Sequence, residues 1–525
     1  MKTIQHLVIL FFACGLSANA QKEIRLNSPD SKIGFSFKMT DTSPVYRVTY
    51  KGKVMVNYSP LKLIFSEDVF NGQLKTGKPV FKKVDETYQL VIGKTRQARN
   101  HYNEVTIPIQ SQSSLKKQIN FAVRVFNDGV AFHYEFPTQD NWSSYTLMDE
   151  FTHFKLNGDP TANILFLPNF TSSHEGLYSK LHVSEIKEDT LMDLPVLFEY
   201  ADGNFLAVTE AALIDYAGMY MVKKNGVLTS QLSPLPDQGG IKVKAIIPHH
   251  TPWRVFMISD RIGALIESNI LTSLNEPSAI QDVSWIKPGK STFPWWNGTI
   301  VSDTSFTPGN NFKTNKYYID FCADNNIEYH SVVEYGGHEW YVNDGSDFQP
   351  GPNVDVTKTV PGIDMYEICD YAKQKGVGIR VWVHWKALYP KLEEAFTQFE
   401  KWGIQGMMVD FMDRDDQEMV NIQTKILQSA AAHKLHIQFH GAYKNTGMHR
   451  TYPNEFTREG TLNYEVNKWD DRVNPDHDII MPFTRMLAGS TDHHLGGFRA
   501  VPKSQFKAKN ARPLMMGTRC HMLAM

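Results

Sequence analysis

The amino-acid sequence predicts a multidomain β and α/β fold: an N-terminal β super-sandwich followed by a half built of βα units, which close into a barrel or form an open doubly wound sheet. Three observations predict it. From about Gln21 to about Asn275 apolar and polar residues alternate with period two, as half-buried antiparallel strands require. From about Asp282 onward apolar strand-like runs alternate with helical segments in units of roughly thirty residues, the spacing of βα repeats. Within this second half, Met407-Met408-Val409 is a short apolar run of the kind a strand buried on both faces needs, and it closes on Asp410.

The predicted domains are residues 1–20, 21–275 and 276–525. The first reads as a secretory signal peptide. Lys2 supplies positive charge, Leu7 to Phe12 an apolar core and Ala18-Asn19-Ala20 a small-x-small cleavage site. No other stretch reaches the roughly 18 apolar residues of a membrane span. In the second domain Ile33 to Phe37, Val45 to Tyr50, Tyr88 to Ile92 and Val105 to Ile109 are expected strands. Asn120 to Phe136 is an expected hairpin, because Asn127-Asp128-Gly129 between two β-rich runs tolerates the positive φ of a tight turn. In the third domain Ile327 to Glu334, Gly378 to His384 and Leu435 to His440 read as strands and Ile363 to Lys373 as a helix. Leu392, Ala395, Phe396 and Phe399 fall on one face of another helix, and Met419, Ile422, Ile426 and Ala430 on one face of a third.

Several partner classes are excluded by composition and motif. Formal net charge is −2 (54 basic against 56 acidic residues) and no basic run stands out, so nucleic acid is not an expected partner. No Gly-rich loop follows any strand, against a dinucleotide site. Cys322, Cys369 and Cys520 lie far apart, match no metal spacing and read as buried thiols.

In a parallel barrel the chemistry gathers at the C-terminal ends of the strands. Those ends carry Glu334, His384 with Lys386, Asp410, His440 and the segment from Glu455 to Glu465. Carboxylates with His, Trp and Lys make a polar, aromatic-walled mouth suited to a sugar. Two facing carboxyl groups suffice for glycoside cleavage, one ionised and one protonated, and Asp410 and Glu465 come from different strand ends. The following acids, Asp413, Asp415 and Asp416, are expected to cap the next helix.

The ordered set of features resembles glycoside hydrolase family 97 over nearly the whole chain. It comprises the signal peptide, the β sandwich, Pro294-Trp295-Trp296 at the start of the barrel, Val381-Trp382-Val383-His384-Trp385, Met408-Val409-Asp410-Phe411, and Thr457-Arg458-Glu459-Gly460 before Tyr464-Glu465. The resemblance implies that the βα half is a (β/α)8 barrel of the TIM type, and that the chain is an exo-acting α-glycosidase of the bacterial periplasm with a calcium ion at the sugar site. Inverting α-glucosidases of the family carry a base glutamate directly after a histidine on the fifth strand, where this chain has His440-Gly441. The retaining branch, typified by α-galactosidases, has a nucleophilic aspartate on the fourth strand, where Asp410 stands.

By that match Asp410 is the expected nucleophile and Glu465 the acid/base. Glu459 and Glu465 are the expected calcium ligands on the barrel, and Glu175 the ligand lent by the sandwich, with Glu199 and Glu210 as other candidates. Oxygen-only ligation suits Ca²⁺. Trp296, His384, Lys386 and His440 are the expected sugar contacts. The alternatives are a β-L-arabinopyranosidase, an inverting α-glucosidase and, from another class, a non-catalytic carbohydrate-binding protein. The family would continue past Met525 through a last barrel strand and a small β domain, so the barrel is expected to be incomplete at its C-terminal end.

Overall fold

The computed structural model describes residues 23–509 apart from 68, 71–72, 113–115 and 492–498, together with the backbone of 515–516. The signal-peptide reading, Cys520 and the expected barrel terminus lie outside the described residues.

Alternating burial builds the N-terminal half. Among the described residues it forms two eleven-stranded antiparallel sheets. Their inner faces interlock through aromatic rings: Phe37 with Phe121 at 5.3 Å and Tyr46 with Phe132 at 5.0 Å between centroids. Tilted ring pairs at these separations add to area burial. The expected hairpin forms from Gln118–Phe126 and Gly129–Phe136. The expected strand Tyr88 to Ile92 is displaced. The strand is Val80–Gln89, and the chain then turns before Gln97–Ser111 pairs back along it. Leu90 and Ile92 are buried beyond the strand end, so their alternation records packing rather than a ladder.

The second half contains a six-stranded parallel sheet: β1 (Ser291–Thr292), β2 (Tyr329–Val332), β3 (Gly378–His384), β4 (Gly406–Asp410), β5 (His436–Phe439) and β6 (Glu455–Arg458), hydrogen-bonded in chain order. These strands are the βα wall of a TIM-type barrel. Helices α1 (Phe312–Asp324), α2 (Met365–Gln374), α3 (Leu392–Trp402) and α4 (Gln417–Ala432) follow β1 to β4 in turn. Each start has a side-chain cap where the sequence offers one: Asp364 accepts from Tyr366 N and Glu367 N, and Asp416 accepts from Met419 N. Helix α3 buries Leu392, Ala395, Phe396 and Phe399 and ends at Gly403, whose φ of 91° closes the helix in the left-handed region. Cys322 and Cys369 are buried free thiols.

Asp416 alone of the three acids after β4 caps α4. Asp413 and Asp415 are drawn instead to the junction of the two halves, where Asp413 O accepts from Ser172 N and Asp415 O from Gly218 N, both at 2.8 Å. The junction is strongly polar. Arg254 holds Glu150 and Glu210, and Glu210 also pairs with Lys444 of the loop after β5 at 2.6 Å, all fully buried. These bonds set the sandwich loop carrying Ser172 to Glu175 over the C-terminal ends of the barrel strands.

Candidate active site

The strand ends and that sandwich loop enclose a cavity of about 1090 Å³. Its inner lining is buried: Trp382, Met408, His440 and Glu465. Its outer lining is open, with Gly336, Gly337 and Trp469 exposed. A cavity closed at one end and open at the other takes the terminus of a molecule, not its middle.

Asp410 ends β4 at the inner end, its side chain 14% exposed. Oδ2 accepts from Trp382 Nε1 at 2.8 Å, and Oδ1 accepts from the Phe411 N–H at 2.6 Å. His440 Nδ1 stands 3.1 Å from Asp410 Oδ1 and 3.0 Å from Glu459 Oε2. Between two carboxylates, which only accept, that nitrogen is the donor. Burial works to raise the Asp410 pKa, but the charge of His440 and the donors from His440, Trp382 and Phe411 outweigh it. The carboxyl is held below the ordinary aspartate value and is ionised at neutral pH.

Glu459 and Glu465 follow β6. Glu459 is fully buried and accepts from Gly441 N at 2.8 Å and from Asn463 Nδ2 at 3.1 Å. Asn463 Oδ1 in turn accepts from Glu465 N at 3.0 Å and caps the turn that carries Glu465. One ligand atom each of His440, Glu459 and Glu465 fall within 4.8 Å of one another, a possible metal-binding group. Glu175 reaches the same place from the sandwich. Its carboxyl is pushed up by burial and further by Asp410, against the charge of His440 and hydrogen bonds to Ser173 and Glu465. Carboxyl groups crowded into mutual contact in a buried site are an arrangement a cation relieves. Nδ1 of His440 is taken up by Asp410 and Glu459, and the carboxylates of Glu175, Glu459 and Glu465 offer oxygen ligands in the same place.

Asp410, His440, Glu175 and Glu465 therefore line one cavity, with Glu459 directly behind, and Glu334 lines it as well. Three predicted sugar contacts stand elsewhere. Trp296 packs against the cluster of Leu462, Tyr464, Val466 and Val473, and its neighbour Trp295 lines the cavity instead. The His384 ring stacks on Phe411 at 5.0 Å, accepts from Lys386 N and is pushed down to about 4 by burial, so it is neutral and covered. Lys386 is exposed beside the Trp385 ring. Glu199 pairs with Lys180 at 3.0 Å and Glu210 with Arg254 and Lys444, so both are engaged away from the metal group.

Sequence reasoning missed Trp382 as the partner of Asp410, and missed Asp413, Lys468 and Trp469 in the lining. Trp382 was legible in principle, two residues before a strand end and so on the same face as that end. Lys468 and Trp469 lie in a turn, where no period assigns a face.

A βα barrel whose strand-end carboxylates meet in a polar, aromatic-walled cavity beside a large β sandwich defines a carbohydrate-cleaving enzyme, a glycoside hydrolase. Comparison with known proteins agrees. The family descriptions Glycosyl-hydrolase 97 N-terminal and Glycoside hydrolase 97 match residues 26–277 and 295–461. A "Retaining alpha-galactosidase" of Bacteroides thetaiotaomicron is 31% identical over 557 residues, spanning 100% of this chain and 80% of that protein. The chain belongs to glycoside hydrolase family 97. Among solved structures, a Glycoside Hydrolase Family 97 enzyme from Pseudoalteromonas sp. superposes with a TM-score of 0.81 at 29% identity, over 89% of this chain and 74% of its own. A beta-arabinopyranosidase shares the fold, with a TM-score of 0.77 at 21% identity over 94% and 78% of the two chains.

Proposed function

We propose that this chain is a retaining, calcium-dependent exo-α-galactosidase that removes terminal α-galactosyl residues by double displacement in the periplasm. Residues 21–275 serve as its scaffold and lend Glu175 to the site, and 276–525 carry the rest of its chemistry. The observation that carries the reading is the contrast between Asp410 and Gly441. Asp410 is an ionised carboxylate at the inner end of the cavity. Gly441, where an inverting base would stand, has a φ of 52°, and a Cβ added there would lie 2.8 Å from Asp413 Oδ1. Position 441 thus favours glycine on both conformational and steric grounds. The name of the Bacteroides thetaiotaomicron relative supports the same branch and the same sugar.

In this mechanism an Asp410 oxygen attacks C1 of the galactosyl ring while the bond from C1 to the glycosidic oxygen breaks, and that oxygen takes the proton of Glu465. A galactosyl ester on Asp410 results. Water then attacks C1, gives its proton to Glu465 and releases Asp410, so two inversions return the α configuration. Trp382, His440 and the Phe411 N–H hold Asp410 charged and oriented before attack. Glu175, Glu459 and Glu465 would hold the calcium, which when bound supplies positive charge beside the sugar hydroxyls. The reading is tested by kcat/KM on aryl α-galactoside, α-glucoside and β-L-arabinopyranoside. The galactoside is expected to exceed both others, and preference for either of the others overturns the assignment.

A further inference from the structure

The turn Tyr464–Lys468 carries Glu465 to the inner cavity and ends at its rim. It is a 3-10 turn with three residues per turn, so Glu465 and Lys468 project to one side. Trp469 caps the turn, its N–H donating to Val466 O at 2.9 Å, and it lines the cavity while 51% exposed. A large indole left half in water at the mouth of a sugar site is a surface waiting for an apolar face. Its neighbour Trp295, 6.4 Å away between ring centroids, is not equivalent to it. Lys468 Nζ sits 4.0 Å over the Trp295 ring and donates to Trp295 O at 2.6 Å, so one face of Trp295 is occupied by the ammonium. Glu334, which lines the same cavity, accepts from Gly337 N at 2.6 Å and attracts Lys468, while burial brings the ammonium down to about 8.

We propose that Trp469, Lys468 and Glu334 form the subsite for the sugar ring on the leaving-group side of the cleaved bond, with Trp469 as its apolar platform and the two charged groups as its hydroxyl ligands. The inference rests on the galactosidase reading above. With the terminal galactose over Asp410 at the closed end, the leaving group must point to the open end, which Trp469 forms. The residue that protonates the leaving oxygen, Glu465, lies four positions earlier on the same turn. Protonation and leaving-group binding are thereby carried by one rigid element. A pyranose offers the apolar ring face that stacks on an indole and the hydroxyls that an ammonium and a carboxylate bind with charge-assisted hydrogen bonds.

The test compares kcat/KM for an α-1,6-linked galactosyl-glucose disaccharide with kcat/KM for α-galactosyl fluoride, whose departing fluoride is too small to reach Trp469. In Trp469→Ala the ratio of disaccharide to fluoride is expected to fall roughly fivefold to tenfold, the worth of one aromatic stack. Trp469→Tyr, which keeps an aromatic face, is expected to restore most of it. A ratio unchanged in Trp469→Ala overturns the subsite. Wild-type enzyme that cleaves neither substrate overturns the galactosidase reading itself.

Discussion

The indole N–H of Trp382 donates to Asp410 Oδ2 at 2.8 Å, joining the ends of two adjacent barrel strands, β3 and β4. The bond fixes the orientation of the proposed nucleophile and helps keep it charged, because a donor to the ionised form lowers its pKa.

Trp382→Phe keeps the ring and removes that donor. A hydrogen bond to a charged group contributes about 1.5–3 kcal/mol, so kcat/KM should fall roughly 10- to 100-fold. The acid limb of the pH profile gives the sign. Asp410 must be ionised to attack, and losing a donor that lowers its pKa moves that limb to higher pH. An unmoved limb would show that Trp382 serves packing alone.

Asp410→Gly should lose activity on an aryl α-galactoside by roughly 10⁴-fold or more, and azide should restore part of it by attacking C1 in place of the missing carboxylate. Rescue with formation of a β-galactosyl azide is the outcome expected when azide enters on the face that Asp410 occupied. A glycine variant that azide leaves inert would point to another role for Asp410, or to the carbohydrate-binding alternative.

The legibility of this fold follows from period and termination. Asp410 could be read as a strand terminus because an apolar run too short for a helix stops on an acid, and β4 does end there. Gly378–His384 could be read to the residue for the same reason. Where side chains in sequence point opposite ways, the reading slipped by one: Trp295 lines the cavity and Trp296 packs behind it. Helix capping was readable for Asp416 but not refusable for Asp413 and Asp415, because their partners, Ser172 and Gly218, lie more than 190 residues away in the chain. The approach of Glu175 to Glu465 likewise depends on how the halves dock, which no local pattern encodes.

Metal dependence can be read apart from turnover. Calcium at a hundredfold excess over its Kd would stabilise the native state by about 2.7 kcal/mol, so Tm should rise with added calcium and fall with a chelator. In Glu459→Gln, which removes one of the buried carboxylates, that response should shrink. A Tm indifferent to calcium and chelator in the wild type would remove calcium from the account.

Asp415 makes a pH prediction. Its side chain is fully buried, and burial pushes the carboxyl up to about 6, against Lys444, His174 and the Tyr220 hydroxyl. A raised folded-state pKa means that the folded state binds the proton more tightly than the unfolded chain does. That contribution to stability is complete below the ordinary aspartate value and is lost as pH rises through about 6. Asp415→Asn, a neutral isostere, should therefore match the wild type near pH 4 and exceed it at pH 8 by about 1–3 kcal/mol. Denaturant unfolding at the two pH values checks this, and a variant less stable at pH 8 than at pH 4 relative to the wild type contradicts it.

The central claim is that Asp410 attacks the anomeric carbon directly, as carboxyl groups about 5 to 5.5 Å apart permit, without the water that a gap of about 6.5 to 9.5 Å admits. Proton NMR of an aryl α-galactoside during the first turnovers tests it most directly, because the first sugar released keeps its configuration until mutarotation. The account predicts α-galactose as the first product. β-Galactose appearing first would contradict it and remove Asp410 from the nucleophile's role.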